Sequence, residues 1–142
     1  MRSLLDANVL IALGVPSHPA HRKVHEWFLR EPGRTWASCA LTQAAYLRQV
    51  SRYLGNSHTS FSRALSALEE DCSKLNHEFW TVEIDFRELS DVMRTRIIGP
   101  NQIADLQLLL LAHKHRGQLV TLDKGLHELA RGTKYANSLT VL

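Results

Sequence analysis

The sequence predicts an α/β fold in which a mostly parallel sheet is covered by helices on both faces. Short apolar runs at 3–6, 35–39, 79–84, 118–122 and 138–142 have the length of buried strands. The stretches between them are long and helically spaced, as right-handed crossovers between parallel strands require. Two of these runs also stop abruptly at an acid, "RSLLDANVL" (2–10) at Asp6 and "QLVTLDKGL" (118–126) at Asp123. An acid beside a core is costly, so both positions call for a reason.

Taken in order, 3–6 reads as a strand and 7–13 as a short helix closed by Gly14 and Pro16. From Pro19 to about Arg30 a helix sets Val24, Trp27 and Phe28 on one side, and "EPGR" (31–34) stops it. "TWASC" (35–39) is a second buried strand, followed by a helix over 41–54 that ends at Gly55 and Asn56. Phe61, Leu65, Leu68, Cys72 and Leu75 recur at intervals of four and three, the clearest amphipathic stripe in the chain. "FWTVEI" (79–84) is strand-like, 86–96 helical, and "IGPN" (98–101) a turn into a helix over 102–116. Residues 118–122 and "SLTVL" (138–142) supply the last strands.

A chain of 142 residues, 44% hydrophobic, supports one domain over 1–142. Seventeen Lys and Arg against fourteen Asp and Glu give a net charge of +3, which suits a polyanionic partner and equally an ordinary soluble protein. Cys39 and Cys72 have no C-x-x-C spacing, which points away from a disulfide framework or zinc ribbon and toward a reducing cytoplasm. The apolar run "LLLLA" (108–112) is too short for a membrane span, and Asp6 interrupts the stretch a signal peptide would need.

In an open parallel sheet, side chains just beyond the carboxyl ends of the strands gather where the strand order reverses. Asp6 and Asp123 hold such positions. Asp105, in "GPNQIADLQLLLLA", lies in the first turns of an otherwise apolar helix and faces the same rim. Each acid alone is explained as a cap, a turn former or a solvated helix residue. Together, at about 5 Å separation and an effective dielectric near 20, each pair repels by roughly 3 kcal/mol, and the trio approaches the ~5–15 kcal/mol stability of a whole domain. Such a cluster needs protons or cations. Oxygen-only ligands with open positions select Mg²⁺ or Mn²⁺, and the chemistry expected is phosphodiester hydrolysis, with phosphatase and receiver-type domains as competing readings.

"LLDANVLIAL", "WASCALTQAAYLRQV", "IADLQLLLLA" and "LVTLDKGL", in that order, resemble the PIN-domain ribonucleases, specifically the VapC-type toxins of bacterial toxin–antitoxin pairs. The resemblance spans essentially the whole chain. It implies a three-layer α/β/α sandwich and a metal-dependent endoribonuclease acting on RNA, homodimeric and covered by a small cognate antitoxin. It assigns the acids of the site to Asp6, Asp105 and Asp123, a hydrogen-bonding role to Asn8, and a hydroxyl on the same strand face as the last acid to Thr121. Many relatives carry glutamate in the helix after the second strand, where this chain has Gln43. An amide can ligate a cation or orient a water but adds no charge and cannot act as a base, so weaker metal binding is expected. The alternative is a catalytically weakened RNA-binding or protein-interaction module that keeps the fold without its ion.

Arg48 and Arg52 follow Gln43 at helical intervals, which aims them at the groove leading to the site. Arg48 is the candidate RNA phosphate contact, against a surface ion pair. His18, His21 and His25 read as a solvated helix surface, and "HKHRG" (113–117) as a helix C-terminus with cations on its dipole. Trp27, Phe28, Trp36, Phe79 and Trp80 read as core rather than base-stacking platforms.

Overall fold

The computed structural model describes residues 1–74 and 76–142. Strands β1 (Ser3–Leu5), β2 (Trp36–Cys39), β3 (His77–Trp80), β4 (Gln118–Thr121) and β5 (Leu139–Val141) form one sheet in the order β3-β2-β1-β4-β5. Every pairing is parallel. The chain builds outward from β1 through β2 to β3, then returns to the other side of β1 for β4 and β5. The order therefore reverses between β1 and β4, which pair as Leu4 with Leu119 and Leu5 with Val120. That is where a crevice forms at the strands' carboxyl ends.

The pleat divides the core into two layers. Leu5, Trp36 and Val120 pack with Val9 and Leu10 of α1 (Ala7–Gly14), Val24 of α2 (His21–Leu29), Tyr46 of α3 (Ala40–Tyr53), and Ala64 and Leu68 of α4 (Ser60–Ser73). Leu4, Ala37, Cys39 and Leu119 pack on the opposite face with Met93 of α5 (Asp91–Arg96), Leu106 and Leu109 of α6 (Asn101–Lys114), and Leu126 and Leu129 of α7 (Gly125–Ala130). This is the three-layer α/β/α sandwich. β1 is buried at all three residues because helices cover it on both sides.

Four elements depart from the sequence-based expectation. β3 begins and ends earlier than 79–84, because its partner β2 turns into α3 after Cys39, opposite Trp80. Beyond that point no backbone is left to pair, and Val82 and Ile84 instead pack their side chains on the core. The single helix over 86–96 is split: a 3-10 turn at Phe86–Glu88 is capped by Asp85, and Ser90 starts α5 by accepting from the Met93 amide. Helix α7 is six residues long, too short for a periodic signature. The buried face of α4 is Ser60, Ala64 and Leu68, so Phe61 stays 58% exposed. Leu75, the last residue of the expected stripe, lies outside the described residues. Of the five aromatics expected in the core, Trp36 and Trp80 are buried, Trp27 and Phe28 pack at its margin, and Phe79 is exposed on the edge strand.

The passage from α6 into β4 is the tightest in the fold. A Cβ on Gly117 would stand 2.7 Å from the Arg2 carbonyl oxygen and 3.0 Å from the Trp80 ring. Only glycine lets this segment approach β1 closely enough for the Gln118 amide to donate to the same Arg2 carbonyl at 3.0 Å.

Candidate acidic site at the sheet switch point

Asp6 follows β1 directly and serves as N-cap of α1, its Oδ1 accepting from the Ala7 amide at 2.7 Å. Only 8% exposed, it receives a second hydrogen bond at Oδ2 from Thr121 Oγ1 at 2.6 Å. Thr121 ends β4 on the pleat face shared with Asp6, and its hydroxyl is fully used. It also accepts from the Asp123 amide at 3.0 Å and from Asn8 Nδ2 at 3.3 Å. Asn8 Oδ1 accepts from the Leu122 amide at 3.1 Å, so one amide side chain on α1 fastens the end of β4 to the start of the first crossover. Asn8 and Thr121 thus tie the end of β4 to Asp6 and α1.

Asp123 is exposed beyond β4, with Oδ1 accepting from the Gly125 amide at 2.8 Å. Asp105 is half-buried in the second turn of α6, and its carboxyl is pushed up to about 6, first by burial and then by the charges of Asp6 and Asp123. Asp6 is also raised, chiefly by burial and further by Asp123, although its hydrogen bonds pull the other way. The three predicted acids therefore share one rim and act on one another. Among the described residues none of them is neutralised by a salt bridge to arginine or lysine. The arrangement is looser than the 5 Å trio expected from sequence: among the described residues no three His, Cys, Asp or Glu side chains are close enough to hold a metal ion as they stand. Asp6 and Asp123 are each tied to backbone of their own segment, and mutual repulsion favours separation.

Two predicted residues do not join this group. Gln43, in the first turns of α3, donates from Nε2 to Ser38 Oγ at 2.9 Å, and Ser38 is bonded to His77 Nε2 at 2.8 Å. Its amide is engaged on the β2 side of the sheet rather than hydrogen-bonded to an acid. Arg48 is exposed in a groove between α3 and α4 formed with Leu47, Arg52 and Phe61, and none of the three acids lines it. Five residues carry the helix about 140° round from Gln43, so Arg48 and Arg52 lie with Phe61 of α4 while Gln43 meets Ser38. Sequence reasoning missed Ser38 and His77, since a serine inside an apolar strand and a histidine at its neighbour's start carry no local signal.

The histidines behave as expected in part. His25 is exposed with its ring 5.2 Å from that of His21, and His21 bonds the Ala12 carbonyl through Nδ1 at 2.7 Å, joining α2 to α1. At the end of α6, His113 bonds Ser138 Oγ at 3.0 Å and His115 stacks on Trp80 at 4.0 Å.

Comparison with known proteins adds to this geometry. Residues 3–132 match the PIN domain family, a span that holds all three acids. The chain belongs to the PIN-domain family. Among curated PIN proteins of Mycobacterium tuberculosis it is 36% identical to Ribonuclease VapC44 over 126 residues, covering 89% of each chain. It is 37% identical to Ribonuclease VapC29 over 129 residues, covering 91% of each. It is 34% identical to Ribonuclease VapC39 over 131 residues, covering 92% of this chain and 94% of that one. Among solved structures, VapBC2 from Rickettsia felis, bound to a DNA fragment from their promoter, superposes with a TM-score of 0.64 at 18% identity, covering 100% of this chain and 99% of that one. The sarcin-ricin loop cleaving toxin VapC20 of M. tuberculosis gives a TM-score of 0.51 at 9% identity, over 82% of this chain and 86% of that one. At these identities the structural likeness speaks for the PIN fold alone. No helix among the described residues is long and apolar enough to cross a membrane.

Proposed function

We propose that this PIN-domain chain is an endoribonuclease toxin of VapC type, dependent on Mg²⁺ or Mn²⁺, held in check by a cognate antitoxin and acting in the cytoplasm as a homodimer. The observation that carries the reading is the unneutralised acid group at the switch point: Asp105 is pushed up to about 6 by burial and by Asp6 and Asp123, and no cationic side chain among the described residues pairs with them. The oxygen-only donors fit a hard divalent ion. Mg²⁺ is commonly held by one or two carboxylates plus waters and phosphate oxygens, so a closed three-ligand cage is not a requirement.

When bound, such an ion activates a water and stabilises the oxygens of an in-line displacement at phosphorus. The chain's own residues do the positioning. Thr121 and the Ala7 amide fix both oxygens of Asp6, leaving their remaining lone pairs for a ligand. Asn8 holds the end of β4, and with it Asp123, against α1. Asp105 closes the third side from α6, on the apolar half of the sandwich, where burial strengthens its pull on a cation.

Cleavage of a structured RNA in Mn²⁺, with and without chelator, on the wild type and on Asp6→Asn, tests the reading. Cutting by the wild type alone, abolished by chelator, is the expected result. Equal cutting by the mutant would reject the site. The weakened-module alternative draws on one observation, that residue 43 is an uncharged glutamine whose amide is already bonded to Ser38; RNA binding without cutting would favour it.

A further inference from the structure

Beside the acid group lies a cavity of about 420 Å³ lined by Arg96, Ile98, Gln102, Gly125, Leu129 and Arg131, among others. None of the three acids lines it, but two of its wall residues are joined to them. Gly125 is the residue whose amide donates to Asp123 Oδ1. Gln102 lies one turn before Asp105 on the same face of α6.

Its walls are built for a polyanion carrying a flat apolar group. The Arg96 guanidinium is clamped through Nη1 by the carbonyls of Glu128, Leu129 and Arg131 at the end of α7, while Nε and Nη2 make no hydrogen bond among the described residues. Arg131 also lines the cavity, exposed and joined to Glu128, a further wall residue, only at 3.5 Å. Ile98 is 93% exposed, an extreme for an isoleucine, and contributes little to the core. Yet its backbone is fixed: Gln102 Oε1 accepts from the Ile98 amide at 2.7 Å and the Gly99 amide at 3.3 Å. A large apolar side chain held out over a cavity with two guanidinium groups is hard to explain by folding alone. It suits an unpaired base, which needs an apolar surface or a guanidinium plane to lie against and cations for the adjoining phosphate.

We infer that this cavity is a nucleotide subsite, receiving the base and phosphate next to the scissile bond of a single-stranded RNA segment, with Ile98 and Arg96 as base-contacting walls and Arg131 as the phosphate contact. The inference rests on the nuclease reading for the position of the scissile bond, but binding can be measured apart from cutting. Its volume falls in the range of small-ligand sites.

The experiment uses Ile98→Ala and Arg131→Gln, both at exposed side chains whose loss leaves the core intact. Fluorescence anisotropy of a labelled RNA pentanucleotide on the full chain gives the first reading. Ile98→Ala weakens binding roughly tenfold, the scale of about two methylene-sized groups withdrawn from an apolar contact. Arg131→Gln weakens it and lowers the slope of log affinity against log salt by roughly 0.7, as loss of one single-strand phosphate contact requires. The second reading is the ratio of kcat/KM on that RNA to kcat/KM on bis(p-nitrophenyl) phosphate in Mn²⁺, a diester with no flanking nucleotide. The ratio falls in both variants. Unchanged affinity in both overturns the subsite, and so does weakening confined to Arg131→Gln, which would be general charge attraction. A wild type that hydrolyses neither substrate would overturn the nuclease reading, and the subsite is then decided by the binding measurement.

Discussion

Thr121 Oγ1 is the most connected side-chain atom of the site, giving its proton to Asp6 and accepting from Asn8 and the Asp123 amide. Thr121→Val keeps the shape and leaves three polar groups short of a partner, so it should cost about 1–3 kcal/mol in urea unfolding, with Thr121→Ser near wild type. Asp105 makes a second prediction. Its folded pKa of about 6 exceeds the model-peptide 3.8, so the folded state holds its proton more tightly than the unfolded chain. Without divalent ions, that contribution to stability is complete below about pH 4 and is lost as pH rises through about 6. Asp105→Asn should flatten this part of a stability–pH curve measured in chelator. A third concerns Gln43. Burial holds His77 below its usual value, and its Nε2 is hydrogen-bonded to Ser38 Oγ, which accepts from Gln43. Gln43→Glu offers an acceptor in place of that donor, turns the Ser38 hydroxyl toward residue 43 and asks His77 for a proton at Nε2. The His77 pKa, followed by NMR, should then rise; a value unmoved by the substitution would mean that the three side chains are not linked in this way.

At the scale of elements, capping and close approach decide what periodicity leaves open. The stretch 86–96 carries helical spacing, yet Asp85 and Ser90 each cap a separate turn, because a short polar side chain that bonds its own downstream amide competes with helix continuation. The face of α4 follows its smallest residues: Ala64 and Ser60 let it lie against α3, and Phe61, being bulky, is turned out. The junction of α6 and β4 has the opposite character, with no tolerance at all. Gly117→Ala should lower stability by about 1–3 kcal/mol in thermal or urea unfolding, since the atom in the way is backbone and cannot move aside. Gly99→Ala is the control, with nothing within 4 Å of its added methyl, and should change stability little.

For the molecule as a whole, the sheet order brings residues 117 apart in sequence, Asp6 and Asp123, to one rim on neighbouring strands. If that rim holds a divalent ion as proposed, Mn²⁺ stabilises the fold by mass action, by about 2.7 kcal/mol at a hundredfold excess over Kd. The thermal shift should be absent in Asp6→Asn and smaller at pH 5 than at pH 7, where protons no longer compete for Asp105. A shift of equal size in the mutant would assign the ion to another place.

The sequence by itself determined the α/β class, the strand positions near 3–6, 35–39 and 118–122, and the three acids, because buried strands and the costly charges at their ends leave a mark that needs no neighbour to be read. Asn8 and Thr121 came into view only through the resemblance to the PIN family. Only the tertiary structure decided where Gln43, Arg48 and Phe61 point, that Ser38 and His77 hold Gln43, and that Ile98 stands over a cavity shared with Arg96, Gly125 and Arg131. Those features depend on which face of a helix meets which neighbour, and on contacts between segments tens of residues apart. No local pattern of side chains encodes such contacts until the sheet order has fixed the distances.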